Sequence, residues 1–116
     1  MSECQDLVAD CRVRAATDLF ARTWDPVVLA ALRTGPRRRR ELRLVIGGLS
    51  DKALTEALGR LLRNGLVERS RFAEAPPRVE YGLTRLGASL VDGPMAALGD
   101  WIREHGEELL AAQDTG

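Results

Sequence analysis

The sequence predicts a mainly α-helical single domain, residues 1–116, that carries one small β-hairpin. Three observations say so. Apolar residues recur at helical spacing in stretches bounded by capping residues and glycines. One pair of short segments, "LVERSRF" and "RVEYGL", reads as two strands, the second alternating between apolar and polar. Hydrophobic residues are 45% of the 116 and aromatics only 4%, enough for one core built from Leu, Ala and Val.

In "VRAATDLFARTW", Val13, Ala16, Leu19, Phe20 and Trp24 fall near helical spacing and predict a first helix over about residues 12–21. In "WDPVVLAALRTGP", Asp25 is the expected N-cap, Pro26 takes the first helical position, and Gly35-Pro36 stop this second helix. "RRRRELRLVI" predicts a short third helix that Arg37, Arg38, Arg39 and Arg40 open, with Leu42, Val45 and Ile46 as its buried side. Gly47 and Gly48 break it. The clearest pattern comes next, in "SDKALTEALGRLLRNG". Ser50 is placed to cap the helix, Asp51 sits at its positive end, and Gly65 closes it. Leu54, Leu58, Leu61 and Leu62 form one stripe, with Lys52, Thr55, Glu56, Gly59 and Arg63 on the other side. One face packs, and the other is free to read something.

The two strands are joined by "AEAPP", where Pro76 and Pro77 cannot donate to a ladder, and Val79, Tyr81 and Leu83 alternate inward. Thr84 then caps a helix through "RLGASLV" that Gly93-Pro94 interrupts. A last helix, "MAALGDWIREHGEELLAA", spaces Met95, Leu98, Ile102 and Leu109 along one side with Trp101 beside them. Two helices joined by a tight turn, the second with a polar face, and then a hairpin with an arginine-flanked tip make a winged helix-turn-helix.

Net charge is zero, but residues 33–78 hold eleven Arg and one Lys against five acids, a net +7, flanked by −2 over residues 1–32 and −5 over residues 79–116. Such a block is either a solvated face or a phosphate-binding surface, and its coincidence with the predicted reading helix favours duplex DNA as partner. The major groove of B-form DNA is about 12 Å wide and admits one helix. Lys52, Ala53 and Thr55 are the candidates for bases or nearby phosphates, and Ser50 for a phosphate. The bland alternative leaves Lys52 and Thr55 merely solvated. Arg37, Arg38 and Arg40 are candidates for the DNA backbone, although residues about 100° apart cannot all face it. Arg78 and Arg71 flank the wing tip and are candidates for the DNA backbone or a minor groove, whereas Arg69 either joins them or pairs with Glu80 across the hairpin.

Other classes fit poorly. No apolar run approaches the ~20 residues of a membrane span, and the first residues lack a signal-peptide pattern, so a cytoplasmic protein with no membrane partner is expected. Cys4 and Cys11 make no disulfide framework. His105 lies on a charged helix without a nucleophile partner, and Cys4, Cys11 and His105 lack the spacing of a zinc site. Without a glycine-rich phosphate loop either, no catalysis, metal or cofactor is expected.

From Cys11 to Trp101 the chain resembles the HxlR-type family of bacterial transcription regulators, relatives of the MarR group. The resemblance is carried by Cys11 thirteen positions before Trp24, "GPRRRREL", "GGLSDKALTEAL", "NGLVER" and "PPRVEYGLTRLG". It implies a winged-helix homodimer, paired through helices at both ends of the chain, that binds operator DNA and often represses neighbouring genes. Two reading helices roughly 34 Å apart would then require a near-palindromic operator. On this view Met95, Leu98, Trp101, Ile102 and Leu109 form the dimer seam; otherwise they are plain core. The resemblance also implies a redox role for Cys11, since the matching cysteine of some relatives senses oxidants or electrophiles; the alternative is an inert, partly buried residue. An apolar small molecule between the dimer helices is a further candidate effector. The chain departs from the family at Ala21-Arg22-Thr23, usually Gly-Gly-Lys, at Arg39, usually aromatic, and at Gly59, usually arginine. Arg60, next to Gly59, joins the DNA-facing candidates. The rival reading is a winged helix used as a protein-interaction module without DNA binding.

Overall fold

Six α-helices and two strands succeed one another along residues 11–115, the part of the chain that the computed structural model describes. They are α1 (Cys11–Asp18), α2 (Trp24–Ala31), α3 (Arg39–Ile46), α4 (Asp51–Arg63), β1 (Val67–Phe72), β2 (Arg78–Leu83), α5 (Arg85–Leu90) and α6 (Ala96–Thr115). A π-helical turn, Val91–Met95, joins the last two. Mainly helical with an antiparallel hairpin after the α3 and α4 pair, the chain is a winged helix-turn-helix. Cys4 lies outside the described residues.

The leucine stripe of α4 organises the core. Leu54, Ala57, Leu58 and Leu61 are buried against Val28 and Leu29 of α2, Leu32 at its C-terminal cap, Leu42 of α3, and Leu49. Each fully buried leucine contributes roughly 2 kcal/mol through removal of its apolar surface from water. The helix begins where Ser50 Oγ accepts the Ala53 N–H at 3.0 Å. It ends at Gly65, whose φ of +71° suits glycine and lets the Leu66 N–H return to Leu61 O at 3.0 Å.

The strands pair with Val67 opposite Leu83 and Phe72 opposite Arg78. Tyr81 is buried and Val79 and Leu83 half-buried on the core side, the alternation expected of a sheet with one packed face. Thr84 ties the hairpin to α5. Its Oγ1 accepts the Gly87 N–H at 3.0 Å and donates to Gly65 O at 2.6 Å. Gly87 is packed so closely that a Cβ there would lie 2.0 Å from Leu66 O.

Several boundaries depart from the sequence-based expectation. Helix α1 ends at Asp18, and Leu19, Phe20 and Ala21 continue as i to i−3 turns. Helix α2 starts at Trp24, so Asp25 is no cap; it lies in the first turn with its side chain buried. Arg37 does not open α3. Its N–H and C=O instead exchange hydrogen bonds with Tyr81 at 2.9 and 2.8 Å, because the outer edge of β2 has backbone groups that need partners. With α3 beginning at Arg39, its inward face centres on Leu42 and Ile46, and Val45 falls outside that arc and is exposed. Pro94 does not break the chain. The wider π turn accommodates a residue without an N–H, and the helix runs on from Arg85 to Thr115.

Helix α6 has no buried residue, and no helix among the described residues is long and apolar enough to cross a membrane.

Candidate nucleic-acid interface

Packing the leucines of α4 inward turns Lys52, Glu56 and Arg63 outward. Lys52 is the freest, its side chain 88% exposed and its ammonium 4.0 Å from Glu56. Ser50, the exposed cap, stands at the same end of the helix. No element of the described chain covers this face. Thr55 is exposed as well, yet its hydroxyl is engaged: it donates to Asp51 O at 2.9 Å and accepts from Arg39 Nη2 at 2.8 Å. Arg39 Nη2 also donates to Asp51 Oδ1 at 2.6 Å. The Arg39 hydrogen bond and charge hold the Asp51 carboxyl below the usual carboxylate range.

Helix α3 and the residue that caps it supply arginines beside this face. Arg38 and Arg40 line a cleft of about 580 Å³ that Arg78 of the wing also borders. Arg39, Arg40 and Arg43 line a second, of about 480 Å³, with Asp51 and Gly48. Arg38 caps α3 through its backbone, donating its N–H to Glu41 Oε1 at 2.9 Å, which leaves its side chain exposed. Arg71 projects from β1, exposed and opposite Val79.

Four of the expected DNA contacts have partners within the chain or a place against its core. Arg60 turns inward to Asp25, with Nε and Nη2 donating to Oδ2 and Oδ1 at 2.9 and 2.8 Å. The Asp25 side chain is only 3% exposed, and that hydrogen-bonded carboxylate raises the Arg60 pKa. Arg37 folds back onto the end of α2, where Nε donates to Ala31 O at 2.8 Å. Ala53 is partly buried and packs on the core. Arg78 is held by Glu74 at 3.2 Å and Glu80 at 3.4 Å, with its guanidinium 4.4 Å from the Phe72 ring centre. Glu80 therefore faces Arg78, not Arg69.

A helix with one packed and one open face, reached through a tight turn and succeeded by a wing, is the arrangement that helix-turn-helix proteins share. The profile of one such family, described as HxlR-like helix-turn-helix, matches residues 19–109. The chain belongs to the HxlR-like family.

This HxlR-like chain is 39% identical over 104 residues to the HTH-type transcriptional regulator YtfH of Escherichia coli strain K12, a match spanning 90% of this chain and 82% of that one. Among solved structures it is similar to YtfH of Salmonella typhimurium, with a TM-score of 0.72 at 37% identity over 87% of this chain and 89% of the other. It is also similar to the reduced form of the transcriptional regulator YodB of Bacillus subtilis, with a TM-score of 0.73 at 31% identity over 78% and 88%. YodB has been solved after diamide treatment too, with a TM-score of 0.70 at 30% identity over 80% and 91%. Like these HxlR-like and MarR-type neighbours, the protein is a transcriptional regulator with a helix-turn-helix DNA-binding fold.

The remaining expected sites fall outside the α4 surface. Cys11 is a free, exposed thiol at the start of α1. Met95 is half-buried against the core, whereas Leu98, Trp101, Ile102 and Leu109 of α6 are between 42% and 48% exposed. Sequence reasoning weighed Arg39 only within the run of four arginines that cannot all face DNA, and did not single out Arg43. The only local sign was Asp51, a carboxylate at the mouth of a basic surface with no basic residue three or four positions from it along the helix.

Proposed function

We propose that the protein binds a near-palindromic operator as a homodimer in the cytoplasm and acts without catalysis, most simply as a repressor. The observation that carries this reading is the open polar face of α4, with exposed Lys52 and Ser50, beside the exposed Arg38 at the N-cap of α3 and Arg40 within it. Lys52 enters the major groove, Ser50, Arg38 and Arg40 meet phosphates, and Arg71 extends the contact through the wing. Arg78, paired with two glutamates, keeps the wing in shape. Selection of bound duplexes from a random pool tests the proposal. Two half-sites about one helical turn apart are expected, and recovery of single, unpaired sites would reject the dimeric operator. Lys52→Ala is expected to weaken binding about tenfold while leaving the thermal midpoint unchanged.

The dimer is supported by α6, whose stripe of Leu98, Ile102 and Leu109 with Trp101 finds no cover among the described residues. A thiol switch at Cys11 is supported by its exposure and by the likeness to YodB, solved in reduced and diamide-treated forms. Diamide should change operator affinity in the wild type and not in Cys11→Ser. An apolar effector is supported by a cleft of about 370 Å³ between α1 and α5, lined by Ala15, Ala16, Leu19, Leu86 and Leu90.

A further inference from the structure

We propose that Arg39 reads a guanine edge in the major groove, aimed there by the Asp51 carboxylate and the Thr55 hydroxyl. This rests on the DNA-binding reading above and assigns a residue that reading leaves unused. Arg39 is the first residue of α3, yet its guanidinium lies against the first turns of α4. Nη2 meets Asp51 Oδ1 at 2.6 Å, Asp51 O at 3.3 Å and Thr55 Oγ1 at 2.8 Å. Asp51 and Thr55 are one turn apart on the edge of the open face that looks toward α3, so the guanidinium stands on that edge too.

This bonding reassigns the groups on the edge. Thr55 has become a strut, because its hydroxyl proton goes to Asp51 O at 2.9 Å and its oxygen already accepts from Arg39. The donors left at this position belong to the arginine. All of its side-chain hydrogen bonds within the described residues run through Nη2, so the donors left over are Nε–H and the Nη1 hydrogens, and Arg39 is one of the residues that line the cleft of about 480 Å³. Asp51 also decides what those donors suit. A carboxylate at a DNA surface repels phosphate, and its pairing with Arg39 neutralises both charges, so the pair gains little from the backbone. A guanine edge offers two adjacent acceptors, N7 and O6, and the Nη1 amino group, held in place through Nη2, can turn its hydrogens to both, a pair of acceptors that no other base presents in the major groove.

The competing role for this pair is a staple between α3 and α4, and the two roles give different results in selection from random duplexes. Wild type should enrich guanine at one position of each half-site. In Arg39→Ala that preference should fall about tenfold or more, with the other positions unchanged. Asp51→Asn should raise affinity for random duplex DNA, since it removes an acid, while flattening the same guanine. If the two variants instead weaken every sequence alike and lower the thermal midpoint, the pair is a staple and the assignment is overturned. Should Arg39→Ala lose its helical far-UV signal, Arg39→Gln keeps a hydrogen-bonding side chain and must still lose the guanine preference; retention overturns the assignment. A wild type that enriches no sequence defeats the DNA reading itself, and this inference with it.

Discussion

Asp25 and Arg60 show how one residue changes role when its surroundings are known. Each looks like a surface device in sequence, a helix cap and a basic contact, yet together they form a buried, doubly hydrogen-bonded ion pair between α2 and α4. The two partners are not equally trapped. Asp25 has a 3% exposed side chain, whereas Arg60, at 26%, can swing its guanidinium to water. Arg60→Ala should therefore cost about 3 kcal/mol, because it strands a buried carboxylate. Asp25→Ala should cost less, about 1 kcal/mol, and the double variant should cost less than the sum. Chemical denaturation of the four proteins checks the cycle, and equal single-variant costs would refute the asymmetry.

Among the elements, the passage from hairpin to helix is the most tightly built. Thr84 bonds back to Gly65 and forward to Gly87, so the end of α4, the wing and the start of α5 meet at one threonine. Gly87 leaves no room for a side chain, since a Cβ would collide with the Leu66 carbonyl, a backbone atom that cannot rotate away. Gly87→Ala is expected to destabilise the fold by about 3 kcal/mol, toward the upper end for overpacking. A thermal midpoint within a few degrees of wild type would contradict this. The helix boundaries of α4 and the strand pairing were legible in sequence because caps, glycines and alternation act locally. The opening of α3 was not. Four consecutive arginines carry no local sign of which one pairs with Tyr81 and which starts the helix; that is set by the free edge of β2.

For the whole molecule the decisive surface is α6. Twenty helical residues without one buried side chain project an apolar stripe from a chain whose longest dimension is 56 Å. A helix so exposed would gain stability from a partner, and a second copy of the chain is the proposed one. Leu98→Glu combined with Ile102→Glu should yield a folded monomer in analytical ultracentrifugation, with operator affinity reduced at least a hundredfold through loss of bivalency. A dimer that survives both charges would place the seam elsewhere. Wild-type binding should weaken steeply with salt, the slope rising with the number of phosphates contacted.

The sequence by itself determined the fold class, the leucine stripe of α4, the wing and the concentration of basic charge before and after that helix, because periodicity, capping and composition are local and additive. Only the tertiary structure decided how those charges are used. It sent Arg60 to a buried carboxylate, Arg37 to the end of α2 and Arg78 to its own wing, and it brought Arg39 onto α4. A long arginine side chain can serve any acid or carbonyl within reach, and which of them comes within reach depends on how separate elements pack, a relation that no short stretch of sequence encodes.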